Sequence, residues 1–168
     1  MISHADIIRP CVLKQTDPHF PWELRRYGCR VMCLLAIPQY VVGRCLTHDQ
    51  TLQLIDRGRA TPNVIVNANM LAGRDEHLLI DWAFEMLGVA RKGRQVGWTG
   101  AHVETREWQY MIVHWQTQRN GRLTADGHYT LHDRLESMIY DPHDARQIGY
   151  SIDFAGVARK LVYATWAV

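Results

Sequence analysis

Apolar positions follow a helical spacing in the first half of this chain and a strand-like spacing in the second. After Gly28, residues Val31, Leu34 and Leu35 and then Val41 and Val42 keep the helical period, so a helix is expected from Cys29. Pro38 has no backbone N–H to donate and should kink or break it, and Gly43 should stop it. Leu46-Thr47-His48-Asp49-Gln50 opens a second helix on a Thr-x-x-Gln capping box, with Leu52, Leu54 and Ile55 on its buried side and Gly58 at its end. A third helix, capped by Gly73-Arg74-Asp75, carries Leu78, Leu79, Trp82, Ala83, Met86 and Leu87 at i, i+3, i+4 and i+7 and stops at Gly88. Glu76 and His77 are expected to be exposed groups of its first turn.

Beyond Gly88 the helical period is lost. Val89 to Gly100, glycine-bearing and basic, reads as a loop with room for one short strand. From Trp108 to Thr117, residues Trp108, Tyr110, Ile112 and His114 alternate with Met111, Val113 and Trp115, the composition of a strand buried on both faces. Asn120-Gly121 signals a turn, and Gly127 to Asp133, Ser137 to Asp141 and Leu161 to Trp166 read as further strands. Upstream, Ile7 to Leu13 reads as a short strand or extended arm broken at Pro10, and Lys14 to Trp22, with Pro18 and Pro21, as an irregular loop. Val64 to Asn67 is too short to assign. The expected fold is a single α+β domain over residues 1–168, with N-terminal helices packed on a C-terminal antiparallel sheet.

Composition narrows the partners. A length of 168 residues encloses a core without staples. The formal net charge is only +2 and the basic residues are scattered without aromatic interleaving, so no nucleic-acid partner is expected. The N-terminus lacks a basic start followed by an apolar stretch, and no apolar run approaches the roughly 20 residues that span a bilayer. A soluble, cytoplasmic protein with no membrane partner is expected. The four cysteines, Cys11, Cys29, Cys33 and Cys45, contain no Cys-x-x-Cys pair, which argues against a structural zinc. Their even number permits a disulfide framework. A chain with its own core does not need one, and Cys29 and Cys33 fall on one helix face, so free thiols in a reducing compartment are expected.

Chemistry enters at Cys29. A cysteine in the first turn of a buried helix, directly after a glycine, meets amide groups and a dipole that favour negative charge on sulfur. A thiol nucleophile needs a base, and the base needs a group to hold its ring. If Gly127 to Asp133 and Ser137 to Asp141 turn symmetrically about Arg134-Leu135, His128 lies directly opposite Asp141. His132 would then oppose Ser137, His114 reads as a core histidine, and His143 as exposed. Zinc ligation by His128, His132 and Asp141 is the weaker reading, so neither metal nor cofactor is expected.

Gln15, Gly28-Cys29, Gly127-His128-Tyr129 and Asp141-Pro142, in that order, resemble the papain-like peptidases of the bacteriocin-leader-processing type and their stand-alone relatives. The stretches VVGRCLTHDQTLQLI and HLLIDWAFEMLG are similar to the helices between Cys and His in that family, and the resemblance runs from about Lys14 to Trp166. It implies a papain-like fold in which Cys29 is the nucleophile, His128 the general acid and base, Asp141 the orienting group and Gln15 an oxyanion donor beside the Cys29 backbone N–H. The implied activity is hydrolysis of a peptide or isopeptide bond, in a peptide, a protein or a cell-wall peptide. No nucleotide-binding part is visible, so a leader-cleaving exporter is not expected. The competing expectation is a catalytically silent papain-like fold kept as a binding module in a phage or mobile-element setting.

Overall fold

A computed structural model describes residues 11–98, 108–119, 122–133, 137–143 and 157–168. Among them the chain forms four helices, α1 (Trp22–Tyr27), α2 (Cys29–Val42), α3 (His48–Ala60) and α4 (His77–Met86). Five strands follow: β1 (Arg91–Trp98), β2 (Trp108–Arg119), β3 (Arg122–Asp133), β4 (Met138–Tyr140) and β5 (Val157–Ala167). The fold is α+β. The strands make one sheet in the order β1-β5-β2-β3-β4, antiparallel at every pairing. The expected arm before Cys11, the Asn120-Gly121 turn and the Arg134-Leu135 turn lie outside the described residues.

Helix α2 is apolar almost all round, and from Val31 to Tyr40 every residue is buried. Such a helix has no solvent face to offer, and it lies between α4 on one side and β2 and β3 on the other. The break expected at Pro38 does not occur, and α2 runs through it to Val42. The neighbouring Gln39 ties the end of the helix to the segment after it. Its buried Nε2 donates to Leu35 O at 2.9 Å and its Oε1 accepts from Leu46 N at 2.9 Å. Gly43 ends the helix as expected, at φ 74°, in the left-handed region glycine tolerates.

The Thr47 capping box forms in both directions, Gln50 N donating to Thr47 Oγ1 and Thr47 N to Gln50 Oε1. Helix α3 does not end at Gly58 but continues to Ala60. Gly58 serves close approach instead, since a Cβ there would come within 2.8 Å of Ile65 Cδ1 and 3.1 Å of Leu79 Cδ2.

Three further expectations need correction. Glu76 is not exposed: only 4% of its surface remains, because Arg30 from α2 and the Tyr163 hydroxyl from β5 both close on its carboxylate. The segment after Gly88 is a full strand. Gly93 lets β1 lie flat on α4, where a Cβ would meet Ile80 Cγ2 at 2.5 Å, and the buried Asp81 carboxylate receives Gly93 N and Arg94 Nη1, each at 3.0 Å. The thiols are not all free, since Cys11 and Cys45, 34 residues apart, are joined by a disulfide across a Cα separation of 6.1 Å, within the usual span. Cys29 and Cys33 remain outside it.

The main core fills the space between the helices and one sheet face, and Met111, Val113 and Val162 form a small second cluster. No helix of the described residues is long and apolar enough to cross a membrane.

Candidate active site

Gly28 is the whole link between α1 and α2. A side chain there would collide with Leu24, whose Cδ1 lies 2.3 Å from the position of a Cβ. This close joint places Cys29 at the first position of α2, where helical N–H groups lack internal partners. The residue keeps 8% of its surface exposed.

The Cys29 thiol stands beside the His128 ring, close enough to raise the ring's affinity for a proton. The ring's Nε2 lies 2.7 Å from Asp141 Oδ1. Burial works against a charged imidazole, but the bond to the Asp141 carboxylate, and after it the influence of the Cys29 thiol, outweigh it and push His128 up to about 9. The ring therefore favours the protonated form at neutral pH. Burial also pushes the neighbouring Cys33 thiol well up, with Cys29 and Asp141 adding to the effect, so Cys33 stays an inert core thiol.

The three residues meet by a different route from the one the symmetric hairpin predicts. Leu131 pairs with Tyr140 and His132 with Met138, with an irregularity between them. His132 thus opposes Met138 rather than Ser137. His128 pairs across β3 with Trp115 of β2, and Asp141 stands just past the end of β4. The His128–Asp141 contact is made by side-chain reach, not by facing positions on a ladder.

Neighbours hold each member. Gly127 accommodates the His114 ring, whose Nε2 would be 2.1 Å from a Cβ there, and that ring stacks on Tyr129 at 4.3 Å. Arg30, the residue after the thiol, lies over the other partner of this stack, Tyr129, at 5.6 Å while pairing with Glu76 at 2.7 Å. The helix that carries Cys29 is thereby tied to the strand that carries His128. Tyr40 of α2 donates to Ile139 O at 2.9 Å and fixes β4 to the same helix. Asp141 Oδ1 also accepts the His143 backbone N–H at 2.8 Å.

Gln15 is buried, with 1% of its surface exposed. Its backbone N–H donates to Pro142 O at 2.9 Å, and Lys14 Nζ donates to Asp141 O at 2.6 Å, so the loop before α1 folds back onto the Asp141-Pro142 turn. Gln15 Nε2 donates to Arg25 O of α1 at 3.0 Å, and its Oε1 has no hydrogen-bond partner among the described residues. One hydrogen of the amide is thus committed to α1.

His132 belongs elsewhere. It is fully buried, with Nε2 2.7 Å from Thr130 Oγ1, which also receives Trp115 Nε1 at 2.7 Å. His143 is exposed as expected, its ring edge-on to His128 at 5.5 Å. Sequence reasoning missed the Arg30–Glu76 pair and Lys14, whose roles depend on partners distant in the chain. A separate cleft of about 620 Å³ between α4 and β1, bordered by Trp82 and Arg91, shares no residue with the Cys29 cluster.

No family model, curated protein or solved structure matches this chain.

Proposed function

We propose that the protein is a papain-like cysteine hydrolase that cleaves an amide bond through Cys29, His128 and Asp141. The observation that carries this reading is the His128 ring paired with the Asp141 carboxylate and standing beside the Cys29 thiol. A half-buried histidine with a purely packing role needs no thiol at a helix start and no carboxylate behind it. The α+β architecture, with the thiol on a central helix and the imidazole on the sheet, supports the papain-like reading.

In this mechanism His128 already holds the proton that Cys29 gives up, and the sulfur attacks the carbonyl carbon of a peptide or isopeptide bond. The carbonyl electron pair moves to oxygen, where the Cys29 backbone N–H and the second Gln15 amide hydrogen receive the negative charge. The oxygen lone pair then returns, the C–N bond breaks, and His128 delivers its proton to the departing amine. Water, deprotonated by His128, attacks the thioester; the C–S bond breaks and the acid product leaves. Asp141 holds the ring and balances the imidazolium throughout.

The test begins with iodoacetamide, which reports the reactive state of sulfur without a substrate. Cys29 is expected to be carboxamidomethylated at pH 6 to 7, with His128→Ala slowing the reaction by about tenfold or more. Peptide pools and cell-wall peptides, analysed by mass spectrometry, then identify the bond cleaved. A Cys29→Ala protein that still cleaves, or a Cys29 whose alkylation ignores His128, sinks the reading. A reactive Cys29 with no cleavage of any amide would favour the silent binding module.

A further inference from the structure

The loop that carries Gln15 continues through Asp17-Pro18-His19, and its side chains converge on the first residue of α3. His19 Nδ1 lies 2.8 Å from Asp17 Oδ1, and His48 Nε2 lies 2.9 Å from Asp17 Oδ2. The ligand-capable atoms of the three side chains all fall within 4.8 Å of one another, the one such group of three among the described residues. The two imidazoles meet edge to face with centroids 5.2 Å apart, and Phe20 packs on the His48 ring at 5.2 Å, fixing its direction.

We propose that Asp17, His19 and His48 form a three-ligand site for a divalent transition metal of the zinc class. Two imidazole nitrogens and one carboxylate oxygen are a donor set that zinc accepts, whereas calcium and magnesium call for oxygen alone. Bond lengths of about 2.0–2.2 Å around a tetrahedral ion put ligand atoms about 3.3 Å apart; the two rings face different oxygens of Asp17, and with the three ligand atoms within 4.8 Å of one another small side-chain rotations bring them onto one ion. On binding, the protons now shared between the rings and the carboxylate leave to solvent, and the neutral imidazoles turn their lone pairs to the ion. The side chains of His19, His48 and Asp17 are 78%, 36% and 23% exposed, which gives the ion an entry path and leaves a position for water.

The site spans two segments, since Asp17 and His48 are 31 residues apart. An ion held there ties the loop that sets Lys14 and Gln15 against Asp141-Pro142 to the start of α3. It contains none of the Cys29, His128 and Asp141 side chains, and its existence does not depend on the reaction proposed above.

The experiment uses tag-free full-length protein with Cys29→Ala, which removes a competing thiol. Cobalt(II) is titrated with detection of its visible d–d bands, and zinc by calorimetry. One ion per chain is expected, with a dissociation constant on the order of 10 µM or tighter. Zinc should also raise the melting temperature, because it binds the folded state alone. His19→Ala and His48→Ala should each weaken binding about tenfold or more and reduce that rise, with unchanged circular dichroism. His19 is so exposed that its loss leaves folding intact even if His48→Ala does not. No binding in the parent at zinc on the order of 100 µM, or binding undiminished in both variants, overturns the proposal.

Discussion

Two imidazole–carboxylate contacts of nearly equal length sit in unlike surroundings in this molecule. His128 and Asp141 are 2.7 Å apart with the carboxylate 6% exposed, and a thiol stands beside the same ring. His48 and Asp17 are 2.9 Å apart in the open, and a second imidazole shares the carboxylate. In the first pair the ring is altered, pushed up to about 9. In the second the carboxylate is altered: the His19 backbone N–H, and after it the His48 ring, lower Asp17 to about 2. The same contact therefore prepares a proton donor in one place and a permanently ionised acceptor in the other. In the first pair the Asp141 carboxylate does most of the raising, with the thiol second, against the cost of burial; in the second the His19 backbone N–H does most of the lowering.

The harshest test of that contrast is to delete each histidine in turn. His128→Ala should lower kcat/KM for amide cleavage by about 10³ to 10⁴, the usual consequence of removing a base that acts as a unit with its nucleophile. His48→Ala should cost less than about 1 kcal/mol of stability, as for other exposed ion pairs. Steady-state kinetics and urea unfolding read the two. Comparable kinetic losses in both would erase the distinction.

Gln15 connects the two regions, because its loop carries Asp17 two residues later. Gln15→Ala should slow amide turnover by about 10² to 10³, the loss seen when one oxyanion donor is removed. Alkylation of Cys29 by iodoacetamide builds no oxyanion, so its rate should not change. If alkylation falls as far as turnover, Gln15 shapes the loop rather than the transition state.

The unequal surroundings also explain what could be read from sequence. The start of α2, the Thr47–Gln50 capping box and the Gly43 stop rest on residues adjacent in the chain, and local rules reach them. Cys29, His128 and Asp141 were recognisable as types that act together, yet the symmetric register that brought His128 opposite Asp141 is not the one formed. The ladder slips between Leu131 and His132, and Asp141 reaches back from beyond the strand. Glu76 reads as a surface cap because nothing nearby reveals that Arg30 and Tyr163 will bury it. Likewise β1 hides behind Gly93, whose use is to let the strand lie on α4, and the Cys11–Cys45 bond depends on a contact between distant segments. The Asp17, His19 and His48 group was invisible for the same reason.

The two pairs should also fail at opposite ends of the pH scale. The folded-state value of His128 lies above the 6.5 of an unperturbed ring, so its contribution to stability is complete below about 6.5 and is lost as pH rises through about 9. Amide turnover, which needs the imidazolium to protonate the leaving amine, should fall about tenfold per pH unit above 9.

Asp17 has a value below the 3.8 of a free carboxyl, so its contribution is complete above 3.8 and is lost as pH falls through about 2. Asp17→Asn removes that charge while keeping the shape, and the acid limb of a melting-temperature profile is where the change should appear. The expected shift is small, under about 1 kcal/mol, because solvent screens an open pair. Turnover at alkaline pH should keep its midpoint, since Asp17 does not contact His128 or Asp141. A shifted alkaline midpoint in Asp17→Asn would mean that the two pairs communicate through the Gln15 loop, and the division between a reactive pair and a surface pair would then give way to one coupled site.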